Sequence, residues 1–147
     1  MYLFKQKFDL RELTGISEEP KRILVAIAEE YLRALYIGHL SEENFYVKPC
    51  GQMDALHEKA AGFSPHLLVV GAGSGSETSA LVRSLVRLKE FYPGLVVVAV
   101  GFGSGQEDIK KLMAAGVNAH IDRKFSQPKD IVTIVKTLLT SAETRGI

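Results

Sequence analysis

Apolar residues along this chain follow two rhythms. Compact apolar runs occupy residues 23–28 (ILVAIA), 67–70 (LLVV) and 95–100 (LVVVAV), with weaker ones at 44–48 and 117–122. Runs of this length bounded by turn residues predict strands, and the purely apolar ones predict strands buried on both faces, as in parallel sheets covered by helices. Between them apolar residues return every third or fourth position, the spacing of a helix with one inner face. Residues 29–40 predict a helix with Leu32, Leu35, Tyr36 and Leu40 inward, residues 53–61 a second, and residues 76–91 a third, striped by Leu81, Leu85 and Leu88 and stopped by Pro93-Gly94. Residues 106–115 predict a fourth, ended by Gly116 as a C-terminal cap. Ser126 is expected to cap a fifth, with Pro128 in its first turn and Ile131, Val135 and Leu138 inward. Such alternation of strand and helix argues for an α/β fold, a parallel sheet wrapped on both faces.

The centre of this arrangement is the third run, which opens abruptly into Gly71-Ala72-Gly73-Ser74-Gly75 ahead of Ser76. The design recurs where the fourth run meets Gly101-Phe102-Gly103-Ser104-Gly105. Ligand sites in open α/β sheets lie beyond the carboxyl ends of the strands, where both loops fall. Glycine serves either a tight turn or the close approach of a ligand. Neither loop has the spacing of a dinucleotide fingerprint or the Gly-Lys-Ser/Thr ending of a phosphate loop, so the glycines by themselves name no nucleotide.

Composition narrows the function. A chain of 147 residues suits one domain, and the expected division is an N-terminal extension over residues 1–20 and a single domain over 21–147. The extension carries alternating Tyr2, Phe4 and Phe8, a pattern suited to packing on the body or on a second copy. With 18 basic against 17 acidic residues, no polyanion-binding surface is expected and nucleic acid is excluded as a partner. No run reaches the ~18 apolar residues of a membrane span, and the N-terminus lacks the apolar core of a signal peptide. Cys50 is the only thiol, which rules out an internal disulfide and a cysteine-based zinc site and fits a reducing cytoplasm. It has no paired base and reads as a small apolar residue. The four histidines are scattered, so neither a metal nor a cofactor is expected.

The run Ala115-Gly116-Val117-Asn118-Ala119-His120-Ile121, ahead of a basic pair and Phe125-Ser126, resembles the receiver domains of bacterial response regulators, the CheY-like family. With the alternation over residues 21–141 it covers most of the chain. The resemblance implies a flavodoxin/CheY-like five-stranded sheet of order 2-1-3-4-5. It also implies a site made of an acidic pair after the first strand, a phospho-accepting aspartate ending the third, a hydroxyl residue ending the fourth and a Lys-Pro ending the fifth. Matched residue by residue, Ile27 and Ala28 stand at the acidic pair, with Glu29 following directly. Gly71 stands at the aspartate, Gly101 at the hydroxyl residue, Arg123 at the lysine and Lys124 at the proline.

Aspartyl phosphorylation needs a carboxylate nucleophile, a divalent cation held by hard oxygen ligands and a cation to balance the phosphoryl group. By the resemblance, only the last survives here. The chain is therefore expected to be a degenerate pseudo-receiver, not an enzyme, acting in signalling or scaffolding through a protein partner and forming a homodimer. Receiver domains commonly associate through the face made by the fourth helix, fifth strand and fifth helix, which nominates Lys110, Lys111, Asp122, Arg123 and Lys136. The alternative is a binder of a small, nucleotide-like anion. Backbone N–H groups of Gly73, Ser74, Gly75, Ser76, Gly103, Ser104 and Gly105 at two helix starts would hold it, with charge from Arg123 or Lys124.

Overall fold

A computed structural model of the chain describes residues 19–73 and 75–145. Residues 1–18, most of the expected extension, and Ser74 lie outside the described residues. The elements in order are β1 (Lys21–Ala26), α1 (Glu30–Ser41), β2 (Phe45–Cys50), α2 (Leu56–Phe63) led in by a 3₁₀ turn over Met53–Ala55, β3 (Leu67–Gly71), α3 (Ser76–Phe91), β4 (Val96–Gly101), α4 (Gln106–Ala114), β5 (Ala119–Asp122) and α5 (Asp130–Arg145). The strands form one parallel sheet in the order β2-β1-β3-β4-β5, the flavodoxin/CheY-like topology.

Alternation of side chains across the sheet sorts the core into two layers. Ile23, Val25, Leu67, Val69, Val96, Val98 and Val100 face one way and meet Leu32, Tyr36 and Leu40 of α1 and Ile131, Val135 and Leu139 of α5. Leu24, Ala26, Leu68, Val70, Val97 and Ala99 face the other way and meet Leu56 and Ala60 of α2, Leu81, Leu85 and Leu88 of α3 and Leu112 of α4. Each fully buried Val, Leu or Ile contributes roughly 1.5–3 kcal/mol, so the sheet is held from both sides. In α1 and α5 the inner stripe is slightly rotated from expectation, with Leu35 half-buried and Leu139 taking the buried place assigned to Leu138.

Several boundaries shift for identifiable reasons. β1 begins two residues early, because Lys21 and Arg22 pair through their backbones with Phe45 and Tyr46. It stops before Ile27 and Ala28, whose carbonyls instead accept Nη1–H of Arg33 at 2.8 and 3.2 Å. β2 runs on through Pro49, tolerated because an edge strand needs no N–H on its outer side. β5 loses Val117 and Asn118. The Val117 N–H closes a turn onto Leu112 O at 3.1 Å with Gly116 at φ +102°, the C-terminal cap anticipated for that glycine. Asn118 Oδ1 accepts the Val97 N–H at 2.8 Å, so a side chain extends the ladder where the strand has ended. The start of α5 also moves. Its opening turn is tight, with Asp130 N–H on Gln127 O, and the Asp130 carboxylate accepts the Gln127 N–H at 2.8 Å. The reciprocal cap thus falls at Gln127 instead of Ser126, with Pro128 just inside the turn.

Candidate functional site

The carboxyl ends of β1, β3, β4 and β5 surround a groove of about 760 Å³. Its floor is the end of the central strand pair, where Gly71 is in register with Val100 and the Ala72 N–H donates to Val100 O at 2.8 Å. Around it stand Ile27, Ala28 and Glu29 after β1, Met53 before α2, Glu77 and Leu81 on α3, the loop after β4, and Arg123 after β5. Of the sequence-nominated residues, the structure brings Ile27, Ala28, Glu29, Gly71, Gly73, Gly101, Gly103, Ser104, Gly105 and Arg123 into one lining. Ser76 opens α3 and is exposed; Gly75 precedes it as the N-terminal cap position.

Alkyl groups occupy the heart of the groove. Ile27 is buried, and a Cβ built on Gly71 would stand 3.8 Å from its atoms, an ordinary contact. The glycine is therefore not forced by crowding. Charge sits at the rim. Arg123 Nη1 lies 3.9 Å from Glu29 Oε1, a half-exposed pair of small energetic weight, and the guanidinium lies 5.6 Å from the Phe102 ring centroid. Glu77 adds a second carboxylate to the lining. Two carboxylates against one guanidinium leave the lining with no excess of positive side-chain charge.

The loop after β4 is fixed from β5. The Arg123 N–H donates to Gly101 O at 2.8 Å, and Asp122 Oδ1 accepts the N–H groups of Gly103 and Lys124, both at 2.9 Å. Those two bonds are the main cause that holds the Asp122 carboxyl below its usual range. Behind the same loop His120 Nε2 is buried with no hydrogen-bond partner among the described residues, 3.2 Å from where a Cβ on Gly101 would lie. Burial pushes this imidazole below its usual range, with Asp122 pulling weakly the other way. Phe102, in the groove lining, and Phe125, its ring centroid 6.0 Å from Lys124 Nζ, stand 64% and 81% exposed, an unusual exposure for two phenylalanines.

The residues nominated for an interaction face lie on α4, at the end of β5 and on α5. Lys110 and Lys111 are exposed on α4, Asp122 and Arg123 turn to the loop and groove, and Lys136 Nζ reaches Glu43 Oε1 at 2.6 Å, toward the end of α1. Cys50 is buried, its thiol donating to Gln52 O at 3.2 Å, which leaves it no access to a substrate. Arg33, Phe102 and His120 are site residues that pattern reasoning missed. Phe102 alone gave a signal, as an aromatic set between glycines.

Neither a family model nor a curated protein sequence matches the chain. Solved structures do. The CheY-like receiver domain protein of Methanospirillum hungatei JF-1 matches at a TM-score of 0.75 and 20% identity over 86% of this chain and 98% of that one. HP1043, an orphan response regulator of H. pylori, matches at 0.71 and 14% over 82% and 98%. The signal receiver domain of a LuxO repressor protein from Vibrio parahaemolyticus matches at 0.71 and 12% over 86% and 95%. The fold of this chain is that of the CheY-like response regulator receiver domains.

Proposed function

We propose that the protein is a phosphorylation-independent signalling or scaffolding module that works by binding a protein partner. The observation that carries this reading is the chemistry of the groove, where alkyl groups and bare backbone stand in the place of an acidic site. Ile27 and Ala28 bring no oxygen ligand from their side chains, and their carbonyls already accept the Arg33 guanidinium. A divalent cation asks for about six hard oxygen ligands. Among the described residues no group of three or more His, Cys, Asp or Glu side chains could hold one. The residues present do not fit such a cation.

Binding in place of chemistry is supported by the rim. Phe102 and Phe125 with Arg123 combine exposed aromatic area with a guanidinium, the residue types enriched at protein interfaces. No helix among the described residues is long and apolar enough to cross a membrane.

The test is a mass measurement after incubation with acetyl phosphate and a divalent cation, followed by capture of the partner from the native cytoplasm. No stoichiometric phosphoryl gain is expected, and capture should survive Gly71→Asp, whose Cβ meets only an ordinary contact. A hydroxylamine-labile phosphoryl group at one per chain would overturn the reading. So would capture unaffected by Phe102→Ser combined with Phe125→Ser.

A further inference from the structure

On the β2 side of the sheet two cations converge on one turn. Arg22 of β1 is in register with Tyr46 of β2, and Lys48 follows two residues on along the same face. Lys48 Nζ stands 5.3 Å from the centroid of the Phe63 ring, at the end of α2. The Arg22 Nε–H donates to the carbonyl of Ser64, the next residue, at 2.8 Å. Tyr46 completes the cluster, 60% exposed and with its ring edge-on to Phe63 at 6.4 Å. Two other cations of the molecule find carboxylates, Lys136 on Glu43 and Arg123 on Glu29. Neither Arg22 nor Lys48 has one within ion-pair distance among the described residues. Like charges gathered at adjacent residues of one turn repel each other, and an anion between them relieves that repulsion.

We propose that this face docks an acidic segment of a partner protein, laid in extended form along β2 with a carboxylate between Arg22 and Lys48. Charge sets the chemistry of the partner. A carboxylate there makes charge-assisted bonds to a guanidinium and an ammonium already held by the Ser64 carbonyl and the Phe63 ring, so little side-chain freedom is lost on binding. Arg and Tyr are residue types enriched at interfaces, and Tyr46 offers the segment a ring to pack on beside a hydroxyl. The extended form follows from the sheet. β2 ends the strand order on its side and pairs with β1 alone among the described residues, so the outer backbone groups of Phe45–Lys48 suit one further strand. Pro49 offers no N–H and closes the ladder there. The face lies across the sheet from Phe102 and Phe125 and stands independently of the function proposed above.

The probes are peptides selected from a random library against the immobilised full chain, with amide NMR to map where they bind. Selected peptides should be rich in Asp and Glu and should shift the amides of Tyr46, Lys48 and Ser64 while those of Phe102 and Phe125 stay in place. Lys48→Glu, at an exposed position, should weaken them several-fold with the remaining spectrum unchanged, and added salt should weaken them too. Phe102→Ser combined with Phe125→Ser should leave their affinity intact, which separates this face from the rim of the groove. No selected peptide, peptides without carboxylates, shifts confined to the rim or an affinity indifferent to Lys48→Glu would overturn the proposal. A single-stranded oligonucleotide that shifts the same amides with higher affinity than any peptide would assign the face to a polyanion and defeat it. Shifts of these amides on concentrating the chain alone would assign it to a second copy, with the same result.

Discussion

The loop after β3 folds in against its own helix, whereas the loop after β4 is tied across to the neighbouring strand. In the first, Gly73 O accepts Thr78 Oγ1–H at 3.0 Å from a fully buried threonine, and Glu77 fills the space in which a Cβ of Gly73 would stand. Gly75 then enters α3 at φ +58°. In the second, Gly103 holds φ +63° with its N–H on Asp122, and Phe102 is left in solvent. Two nearly identical strings of glycine thus answer different demands. Crowding requires glycine at 73, backbone conformation requires it at 75 and 103, and neither requires it at 105. Glycine spacing in such loops reports the local backbone before it reports a ligand.

The comparison can be broken most forcefully in the first loop. Gly73→Val would place a Cβ 2.8 Å from Glu77 Cβ, an atom close to the helix backbone that cannot swing away. A loss on the order of 1–3 kcal/mol is expected, as for other overpacked sites. Gly75→Ser should cost a similar amount, about 1–3 kcal/mol, since φ +58° with ψ −121° is glycine territory. In the second loop Gly103→Ala meets no neighbour and retains the N–H on Asp122, so only left-handed strain remains, about 1–2 kcal/mol. Urea midpoints at unchanged slope measure all three. Equal tolerance of valine at 73 and alanine at 103 would erase the distinction between a crowded loop and a merely bent one.

Acid sharpens the same contrast, because the second loop is held by Asp122 and backed by His120, whose titration the fold shifts. Folding favours the neutral His120 ring, whose pKa lies below the usual 6.5, so the unfolded chain binds the extra proton as pH falls through 6.5 and stability declines toward the folded value. Asp122, held below 3.8 chiefly by two backbone N–H groups, contributes stability that is whole above 3.8 and is lost as pH falls through its folded value. Stability should therefore fall in two steps on acidification. His120→Gln should flatten the first step and Asp122→Asn the second, read as unfolding midpoints from neutral to acidic pH. A first step of full size in the His120→Gln variant would place its source elsewhere.

Much of this molecule is legible in the order of its residues, and the misses share a cause. The span of α3 follows from the Leu81, Leu85 and Leu88 stripe, and the Gly116 cap from its place after a periodic helix, because hydropathy and backbone freedom are local properties. The strand ends at Gly71 and Gly101 were readable for the same reason. Arg33 was not, since its partners are backbone carbonyls that any residue carries. Nor was the pairing of Lys136 with Glu43, 93 positions away, which ties α5 to the residues just after α1. Exposure of Phe102 beside Arg123 likewise depends on how β5 holds the loop, a tertiary matter.

The smallest expected effect is a gain, and it comes from the glycine that neither crowding nor conformation explains. Gly105 occupies the N-terminal cap position of α4 at φ −75° and ψ 160°, extended backbone that suits any residue, with nothing within 4 Å of a built Cβ and no side-chain cap on the helix. Serine there would accept a hydrogen bond from the first-turn N–H groups, with Asp108 three residues on completing a reciprocal cap. It would also reduce the freedom of the unfolded chain. Together these should stabilise the protein by roughly 0.5–1 kcal/mol. Gly75→Ser is the same change at the same position of α3, and there the sign reverses because positive φ forbids it. The pair of variants, measured side by side in urea, separates the two loops with one substitution. A loss at both positions would show that Gly105 is held by a demand the extended backbone does not reveal, a gain at both that Gly75 carries no strain.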